Sequence, residues 1–290
     1  MKELRDIARQ LLTDGTVKVV IGWEEGPRGV RPAFLTDPAH ADRLVFDDRC
    51  VQNLASYLSP RRSLVTRLGR AAVVVKGCDA RAVAGLIRET QLKREDVVVI
   101  GVRCAGVKAD AAVAGPLTAD NVADRCRGCE AHEPHLFDHL VGPAVTGIPG
   151  PSRRDARIAE LEAQPADRRW AYWTEELSKC VRCHACRQVC PMCFCDRCMA
   201  DKTRPQWLES SPHARGNLAW HIARAMHQAG RCVDCGECER ACPVDIPLNL
   251  LTRKVAAVVA ERFDSRPTDD PAVPAPIGAW RADDPQEFIL

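Results

Sequence analysis

The strongest constraint on this 290-residue chain is a cysteine spacing that occurs twice. Each copy reads C-x2-C-x2-C-x3-C-P; the first holds Cys180, Cys183, Cys186 and Cys190, and the second holds Cys232, Cys235, Cys238 and Cys242. Gaps of two residues let a tight turn aim three thiolates at three irons of one cubane cluster. The fourth thiolate, after the longer gap, points toward another cluster. The repeated spacing therefore predicts two 4Fe-4S clusters.

The fourth cysteine of each copy is expected to cross over to the opposite cluster. Cluster I is predicted to use Cys180, Cys183, Cys186 and Cys242, and cluster II to use Cys232, Cys235, Cys238 and Cys190. Structural zinc is the alternative, because paired C-x2-C knuckles are common in tetrahedral zinc sites. Zinc does not need triple runs that end in C-x3-C-P, so the spacing favours iron-sulfur clusters.

The composition restricts the setting in which these thiols work. The chain has sixteen cysteines and nearly balanced charge, with 41 Lys and Arg against 39 Asp and Glu. Residues 1–12 lack the apolar segment of an export signal, and no apolar stretch approaches the ~20 residues that span a bilayer. These features predict a cytoplasmic protein without membrane insertion, whose reduced thiols are available to bind metal. The net charge of +2 provides no field for binding nucleic acid.

Three runs rich in valine and isoleucine predict strands in the first part of the chain, at residues 17–21, 71–76 and 97–102. Such unbroken runs are typical of strands that are buried on both faces of a sheet. Between the second and third runs, Asp79 can cap a helix that carries Val83 and Leu86, which gives a parallel crossover. Residues 1–150 are therefore predicted to form an α/β domain with a short, mostly parallel sheet, ending in the Pro- and Gly-rich stretch 142–150.

The rest of the chain is predicted to be mainly α-helical over residues 151–265. Between the two cysteine motifs, Leu218, Ile222 and Met226 recur every four residues, which is the spacing of one helix face. A second helix face follows the second motif, marked by Leu248, Leu251, Val255 and Val258. Residues 266–290 contain five prolines and several acids, which indicates an extended C-terminal arm.

Four further cysteines predict a third cluster in the α/β domain. Cys78 and Cys104 follow the second and third predicted strands, and neighbouring parallel strands end at the same sheet edge, where α/β proteins bind ligands. The C-x2-C pair of Cys126 and Cys129 can then close a cage of four thiolates from a loop. Unligated buried thiols are the alternative. Cys50 is either a substitute ligand or a simple core thiol.

Cysteines beyond this set follow the first motif closely, at Cys193, Cys195 and Cys198. They either bind zinc or an additional cluster with an outside ligand, or replace an assigned thiolate, or are buried or redox-active thiols. Basic residues also surround the motifs, at Lys179, Arg182, Arg187, Arg197 and Arg240. These side chains either offset the negative charge of the clusters or form a solvated basic surface.

The C-terminal cysteine region resembles a known class of ferredoxin. The 41 residues between Cys190 and Cys232 form a longer connection than the one joining the motifs of a small bacterial-type ferredoxin, and their pattern is helical. Over about residues 175–262 the chain is similar to the α-helical ferredoxin of the iron-sulfur subunits of fumarate reductase and of the C subunit of heterodisulfide reductase. That resemblance implies a two-cluster electron-transfer domain.

Residues 1–142 resemble the beta subunit family of coenzyme F420 hydrogenase and dehydrogenase, through the runs VKVVIGW, CVQNLASYL, VVVKGCDARAVAGLI, GVRCAG and DRCRGCEAHEPHLFDHLVG. The resemblance implies a 4Fe-4S cluster and a flavin, FAD, that pass electrons between a metalloenzyme partner and a deazaflavin. Cys78, Cys104, Cys126 and Cys129 fall where the family has cluster ligands. The α/β part is abbreviated here, which puts the flavin and F420 segments in doubt, and neither a G-x-G-x-x-G nor a Walker motif occurs.

Together these features predict an iron-sulfur electron-transfer subunit of a cytoplasmic multi-subunit oxidoreductase of the hydrogenase, formate dehydrogenase or heterodisulfide-reductase-like kind. Its expected partners are other redox subunits, such as a flavoprotein or a hydrogenase or dehydrogenase subunit. No acid-base or nucleophile constellation stands out, so no catalytic residue is predicted. One alternative is a flavin-containing subunit that itself reduces F420, a ferredoxin-like carrier or a nicotinamide. Another is a zinc-bound interaction scaffold.

Overall fold

Valine-rich strands form the centre of a six-stranded sheet in the first half of the chain. The computed structural model describes residues 1–61, 63–209 and 211–283, which divide into two units. Unit 1 comprises Met1–Ser152 with Thr268–Val273, and unit 2 comprises Arg153–Pro267 with the described residues from Pro274 onward. Unit 1 contains the sheet, and unit 2 contains helices and both ferredoxin-like motifs.

The strands of unit 1 are β1 (Val19–Gly26), β2 (Gly29–Leu35), β3 (Leu44–Val45), β4 (Ala71–Val75), β5 (Val97–Val102) and β6 (His139–Val141). Their order is β2-β1-β4-β5-β6, with β3 pairing on β1. The β1–β4, β4–β5 and β5–β6 pairs are parallel, whereas β2 and β3 run antiparallel to β1. The predicted fold class, an α/β region with a mostly parallel sheet followed by a helical region, is confirmed.

The central strands are where the sequence placed them, because burial on both faces selects their residues. Every residue of β4 and β5 is buried, and the strands align with Ala71 opposite Val97 and Val75 opposite Gly101. Helix α3 (Gly77–Arg88) forms the crossover between them. Since the two strands end in register, the residues that follow them meet at one edge of the sheet.

The hairpin beside the central strands was not predicted. Strand β1 starts two residues later than expected and runs on to Gly26, where a turn leads into β2. Gly29 has φ of +97°, a left-handed conformation that favours glycine. The edge strand β2 contains Pro32, which breaks any continuous run of strand-forming residues. Helix α1 (Lys2–Thr13) buries Leu4 and Leu11 in this unit.

The helices of unit 2 are α4 (Arg153–Glu162), α5 (Ala166–Ser178), α6 (Ala185–Val189), α7 (Ala214–His227), α8 (Glu237–Arg240) and α9 (Leu248–Phe263). The short helices α6 and α8 begin inside the two cysteine motifs, while α7 lies between the motifs in sequence. Within residues 266–283 the structure has a 3-10 turn at Pro276–Gly278. The remaining part of the predicted C-terminal arm, 284–290, lies outside the described residues.

Helix α7 turns a different face inward from the one its apolar repeat suggests. Ile222 and Met226 are 44% and 55% exposed, whereas Asn217, His221 and Arg224 are buried. The inward face of α7 therefore carries polar side chains beside Trp220 and Ala225, and buried polar groups normally require polar or charged partners. No helix among the described residues is long and apolar enough to span a membrane.

A close backbone approach at Gly77 gives a test of unit 1. A Cβ built on Gly77 would overlap the carbonyl group of Ala131, whereas one on Gly278 would meet nothing within 4 Å. Replacing glycine with alanine in a helix ordinarily stabilises it by ~1 kcal/mol. We expect Gly77→Ala instead to destabilise the chain by about 1–3 kcal/mol, because a rigid carbonyl cannot move aside. Chemical denaturation of the full chain, with Gly278→Ala as control, measures this; an unchanged midpoint for Gly77→Ala would contradict it.

Candidate metal centres

The two cysteine motifs of unit 2 fold into loops of the same shape. In the first, Arg182 and His184 have φ of 58° and 59° on either side of Cys183. In the second, Asp234 and Gly236 have φ of 57° and 68° on either side of the corresponding cysteine. A left-handed conformation costs an L-amino acid ~1–2 kcal/mol. Because it recurs at equivalent positions, it marks a shape that each loop must adopt. Both loops thereby turn tightly around their middle cysteine and then enter a short helix.

Backbone amides in these loops point at the sulfur atoms. The amide of Arg182 donates to Cys180 Sγ at 3.4 Å, and the amide of Ile246 donates to Cys242 Sγ at the same distance. Burial raises the pKa of the Cys232 thiol to about 11, with the Asp234 carboxylate acting in the same direction and its backbone amide opposing. Amide donors of this kind stabilise a thiolate and adjust the potential of an iron-sulfur cluster.

The four thiols predicted for cluster II line one cavity. Its wall holds Cys190, Cys232, Cys235 and Cys238 together with Arg224, Gln228, Asn249 and Thr252. One of these thiols comes from the first motif and three come from the second. Burial raises the pKa of the Cys235 thiol well above its usual value. The structure thus brings together four thiols, of which Cys238 is buried and the other three are half-buried, and this donor set suits an iron-sulfur cube.

Thiols predicted for cluster I also come from both motifs. Burial raises the pKa of Cys180, and the charges of Cys183 and Cys242 raise it further. Cys186 belongs to one apolar cluster with Leu177 and Cys238, and Cys180 and Cys242 pack against that cluster. Cys183, by contrast, is exposed. The fourth cysteine of the second motif therefore lies with the first motif.

In unit 1, two of the other predicted thiols act on the pKa of Cys78. Cys78 lies in the first turn of α3, after β4, and Cys104 follows β5. Burial raises the pKa of Cys78 well above its usual value, and the charges of Cys104 and Cys126 contribute in the same direction. The amide of Cys129 bonds to the carbonyl of Cys126 at 3.4 Å, which closes the C-x2-C turn. Amides of the next loop also reach these sulfurs, from Val107 to Cys126 and from Ala131 to Cys129.

A buried lysine accompanies the thiols of unit 1. Lys76 is 3% exposed, and its Nζ lies 2.8 Å from an Asp79 carboxylate oxygen and 4.4 Å from the ring centre of Trp23. Burial alone would lower the pKa of Lys76, but Asp79 and the thiolates of Cys78 and Cys104 raise it overall. Sequence reasoning missed this cation; its only signal was a lysine at the end of an otherwise apolar strand.

Cys50 has the surroundings of a core thiol. It is fully buried, accepts a hydrogen bond from the Asp47 amide at 3.4 Å, and donates to the Val45 carbonyl at 3.8 Å. Burial raises its pKa to about 12, and the charges that act on it belong to Lys76, Asp47 and Arg49 rather than to another thiol. Of its two proposed roles, the structure supports the packing role.

The three extra cysteines after the first motif have separate surroundings. Cys193 receives a hydrogen bond from Gln228 Nε2 at 3.4 Å, and Gln228 Oε1 in turn accepts one from Cys190 at 3.6 Å. Burial would lower the pKa of Arg187, but Asp201 and, after it, Cys198 raise it overall. Cys195 is exposed. Across residues 1–61, 63–209 and 211–283, no group of three or more His, Cys, Asp or Glu side chains is arranged to hold a single metal ion. The four thiols of a cube surround a larger group and need not meet that arrangement.

The basic residues around the motifs divide into two kinds. Lys179, Arg187 and Arg240 form ion pairs with neighbouring carboxylates at 2.7–2.8 Å. Arg182 is buried instead, and burial lowers its pKa while Cys180 and Cys186 oppose the shift. A second buried arginine, Arg224, was missed by the sequence reasoning because it lies on a helix outside both motifs.

Known proteins share parts of this sequence. Residues 176–246 match the family described as a 4Fe-4S dicluster domain, a segment that contains all eight cysteines of the two motifs. The chain is 31% identical over 115 residues to the F420-dependent formate dehydrogenase subunit beta of Methanocaldococcus jannaschii, covering 39% of this chain. It is 33% identical over 104 residues to the F420-dependent formate dehydrogenase 1 subunit beta of Methanococcus maripaludis, covering 36% of this chain.

These similarities are partial. The matched segments span 28% and 26% of the two relatives' lengths. They support the iron-sulfur character predicted from the cysteine spacing and part of the resemblance to the F420-linked beta subunits. The likeness to the C subunit of heterodisulfide reductase and the presence of FAD remain predictions.

The role of Cys50 is open to a direct test. Cys50→Ala should retain the wild-type content of iron and sulfide, because no other thiol lies near enough to influence its pKa. Cys78→Ala, in the same unit, should lose about four irons if its thiol binds a cube. Both variants are compared by iron and sulfide analysis after anaerobic purification of the full chain. Loss of iron from Cys50→Ala would identify Cys50 as a ligand and contradict the packing role.

Proposed function

We propose that this chain is an electron-relay subunit of a multi-subunit oxidoreductase, holding 4Fe-4S clusters in both of its units. The observation that carries the proposal is the cavity lined by Cys190, Cys232, Cys235 and Cys238, which lies in the segment matching a 4Fe-4S dicluster domain. The four thiols come from two separate motifs and line one cavity. A shared iron-sulfur cube accounts for their convergence.

In this proposal the two motifs of unit 2 exchange their last cysteines. Cluster II is held by the four cavity thiols, and cluster I by Cys180, Cys183, Cys186 and Cys242. The electrostatic link from Cys180 to Cys183 and Cys242 supports the second set. The exchange ties the two motifs together, so neither cluster site is complete without both.

A third cluster is proposed at the sheet edge of unit 1, on Cys78, Cys104, Cys126 and Cys129. The in-register ends of β4 and β5 support it, because they deliver Cys78 and Cys104 to one edge. Electrostatic interactions support it as well, because Cys104 and Cys126 raise the pKa of Cys78 and Cys126 raises the pKa of Cys104. The proposed cluster uses a scaffold unlike that of unit 2, because two of its four thiols follow strands of a buried sheet.

The residues around the thiols favour electron transfer. When bound, a 4Fe-4S cluster supplies one-electron redox chemistry. The chain contributes thiolate ligands, amide donors such as those of Arg182 and Ile246, and buried cations that offset negative charge. The exposed Cys183 places one proposed ligand of cluster I at the surface of its unit, where a redox partner can approach.

The proposed complex belongs to the hydrogenase, formate dehydrogenase or heterodisulfide-reductase-like kind. The relatives in the two archaea are named as beta subunits of F420-dependent formate dehydrogenases, which favours formate dehydrogenase among the three. Because the match covers little more than a quarter of each relative, the flavin and F420 reactions suggested by their family are assigned to a partner. The proposed partners are other redox subunits, such as a flavoprotein or a hydrogenase or dehydrogenase subunit.

The exchange of ligands predicts which cluster each variant damages. Cys242→Ala should disturb the cluster held by Cys180, Cys183 and Cys186, although Cys242 belongs in sequence to the second motif. EPR of the reduced full chain, compared with that of Cys235→Ala as the matched variant of the second motif, separates the two signals. If Cys242→Ala and Cys235→Ala removed the same signal, the exchanged assignment would be wrong.

The relay role predicts the composition of the native assembly. Anaerobic purification from the host should recover this chain with other redox subunits, with iron and sulfide on this chain and any flavin on a partner. Separation of the subunits, followed by flavin and metal analysis of each, checks this. Stoichiometric flavin on this chain would favour the flavin-containing enzyme, and zinc without iron would favour the scaffold.

A further inference from the structure

Arg224 occupies a position between the ligands of the two proposed clusters. It lies on α7, is 5% exposed, and lines the cavity formed by the thiols of cluster II. Its Nη2 also donates to the backbone carbonyl of Cys186, a proposed ligand of cluster I, at 3.2 Å. One guanidinium therefore contacts the first motif and faces the site assembled mostly from the second.

Thiols surround the guanidinium of Arg224 and act on its charge. Burial would lower the pKa of its guanidinium, but Cys238, Cys190, Cys193 and Cys186 raise it well above its usual value. Burial raises the pKa of the Cys238 thiol, and Arg224 is the strongest influence opposing that rise. Among the described ion pairs of unit 2, none involves Arg224. Among the described residues, thiols are thus the groups that act most strongly on its charge.

One donor of Arg224 is left over. The Nε–H group is buried and has no hydrogen-bond partner among the described residues, although it belongs to a side chain that lines the cavity. A buried donor without a partner costs about 1–3 kcal/mol, and an acceptor bound in the cavity would relieve that cost. Thiolates and the sulfides of a cube are acceptors of the required kind.

We infer that Arg224 is a positioning residue shared by both clusters of unit 2, whose fixed positive charge raises their reduction potentials together. The inference rests on the proposed function, since it requires the two clusters to be present. Reduction adds an electron, and a buried cation stabilises that negative charge far more than a surface cation does. The effect should be larger for cluster II. Two of its proposed ligands, Cys190 and Cys238, raise the pKa of Arg224, whereas Cys186 is the one proposed ligand of cluster I that does so among its main causes.

Arginine is suited to this position because its guanidinium cannot lose its proton in a protein and presents five donors in a fixed plane. A purely structural role is the competing explanation, since the bond to the Cys186 carbonyl ties α7 to the first motif. The two roles predict different results when the charge of Arg224 is removed. A structural tie affects the amount of cluster, whereas a charge affects the potential of clusters that are present.

The test uses the full chain with its clusters, purified anaerobically, and follows each cluster by EPR during a redox titration. Arg224→Gln removes the charge, Arg224→Lys keeps it, and Arg215→Gln removes an exposed charge from the same helix as a control. For Arg224→Gln we expect the equilibrium constant for reduction to fall at least about tenfold for cluster II, or ~59 mV for a one-electron couple, and less for cluster I. Arg224→Lys should restore most of the shift, and Arg215→Gln should change either constant less than about twofold because water and salt screen it.

The outcomes separate the inference from the function on which it rests. If the wild-type chain binds no clusters, the proposed function fails. If Arg224→Gln retains both clusters at unchanged potentials, the inference fails while the relay stands. Should Arg224→Gln lose clusters, Arg224→Lys decides: clusters restored at near wild-type potentials support the charge. If Arg224→Lys also loses the clusters, the inference is overturned. The same holds if Arg224→Lys restores them at potentials as low as those of any cluster that remains in Arg224→Gln.

Discussion

Buried cysteine thiols resist ionisation, and both units place groups beside the sulfurs that stabilise the thiolate form. Removing a thiolate from water is unfavourable, and burial raises the pKa of Cys104 and Cys186 to about 11. Placing several thiolates together adds mutual repulsion. The chain opposes both effects with amide donors at the sulfurs and with cations buried beside them. Metal binding would complete the compensation, because it requires the thiols to be deprotonated.

The two units meet this constraint with different backbones. Unit 2 uses short loops in which paired left-handed residues, such as Arg182 and His184, turn the chain around a cysteine and free its amides to face sulfur. Unit 1 uses the edge of a buried parallel sheet, where β4 and β5 end in register and deliver Cys78 and Cys104. Each unit adds a buried cation, Lys76 in unit 1 and Arg224 in unit 2. The same electrostatic need is therefore met on two unrelated scaffolds.

Features dictated by burial or by ligand spacing were predictable from the sequence. The valines of β4 and β5 identified the parallel strands, and the exchange of Cys190 toward the second motif followed from the C-x3-C spacing. The edge strand β2 escaped prediction because Pro32 interrupts it, and β6 is only three residues long. Arg224 escaped because hydropathy patterns assign charged residues to the surface. Its burial depends on thiols that approach α7 only after the chain folds.

The central claim is that the convergent thiols hold iron-sulfur cubes. The most direct measurement is the iron, acid-labile sulfide and zinc content of the full chain after anaerobic purification. The account predicts about twelve irons and twelve sulfides per chain, from three 4Fe-4S clusters, with no stoichiometric zinc. A chain that carried zinc in place of iron, or that folded with all twelve thiols free, would contradict it.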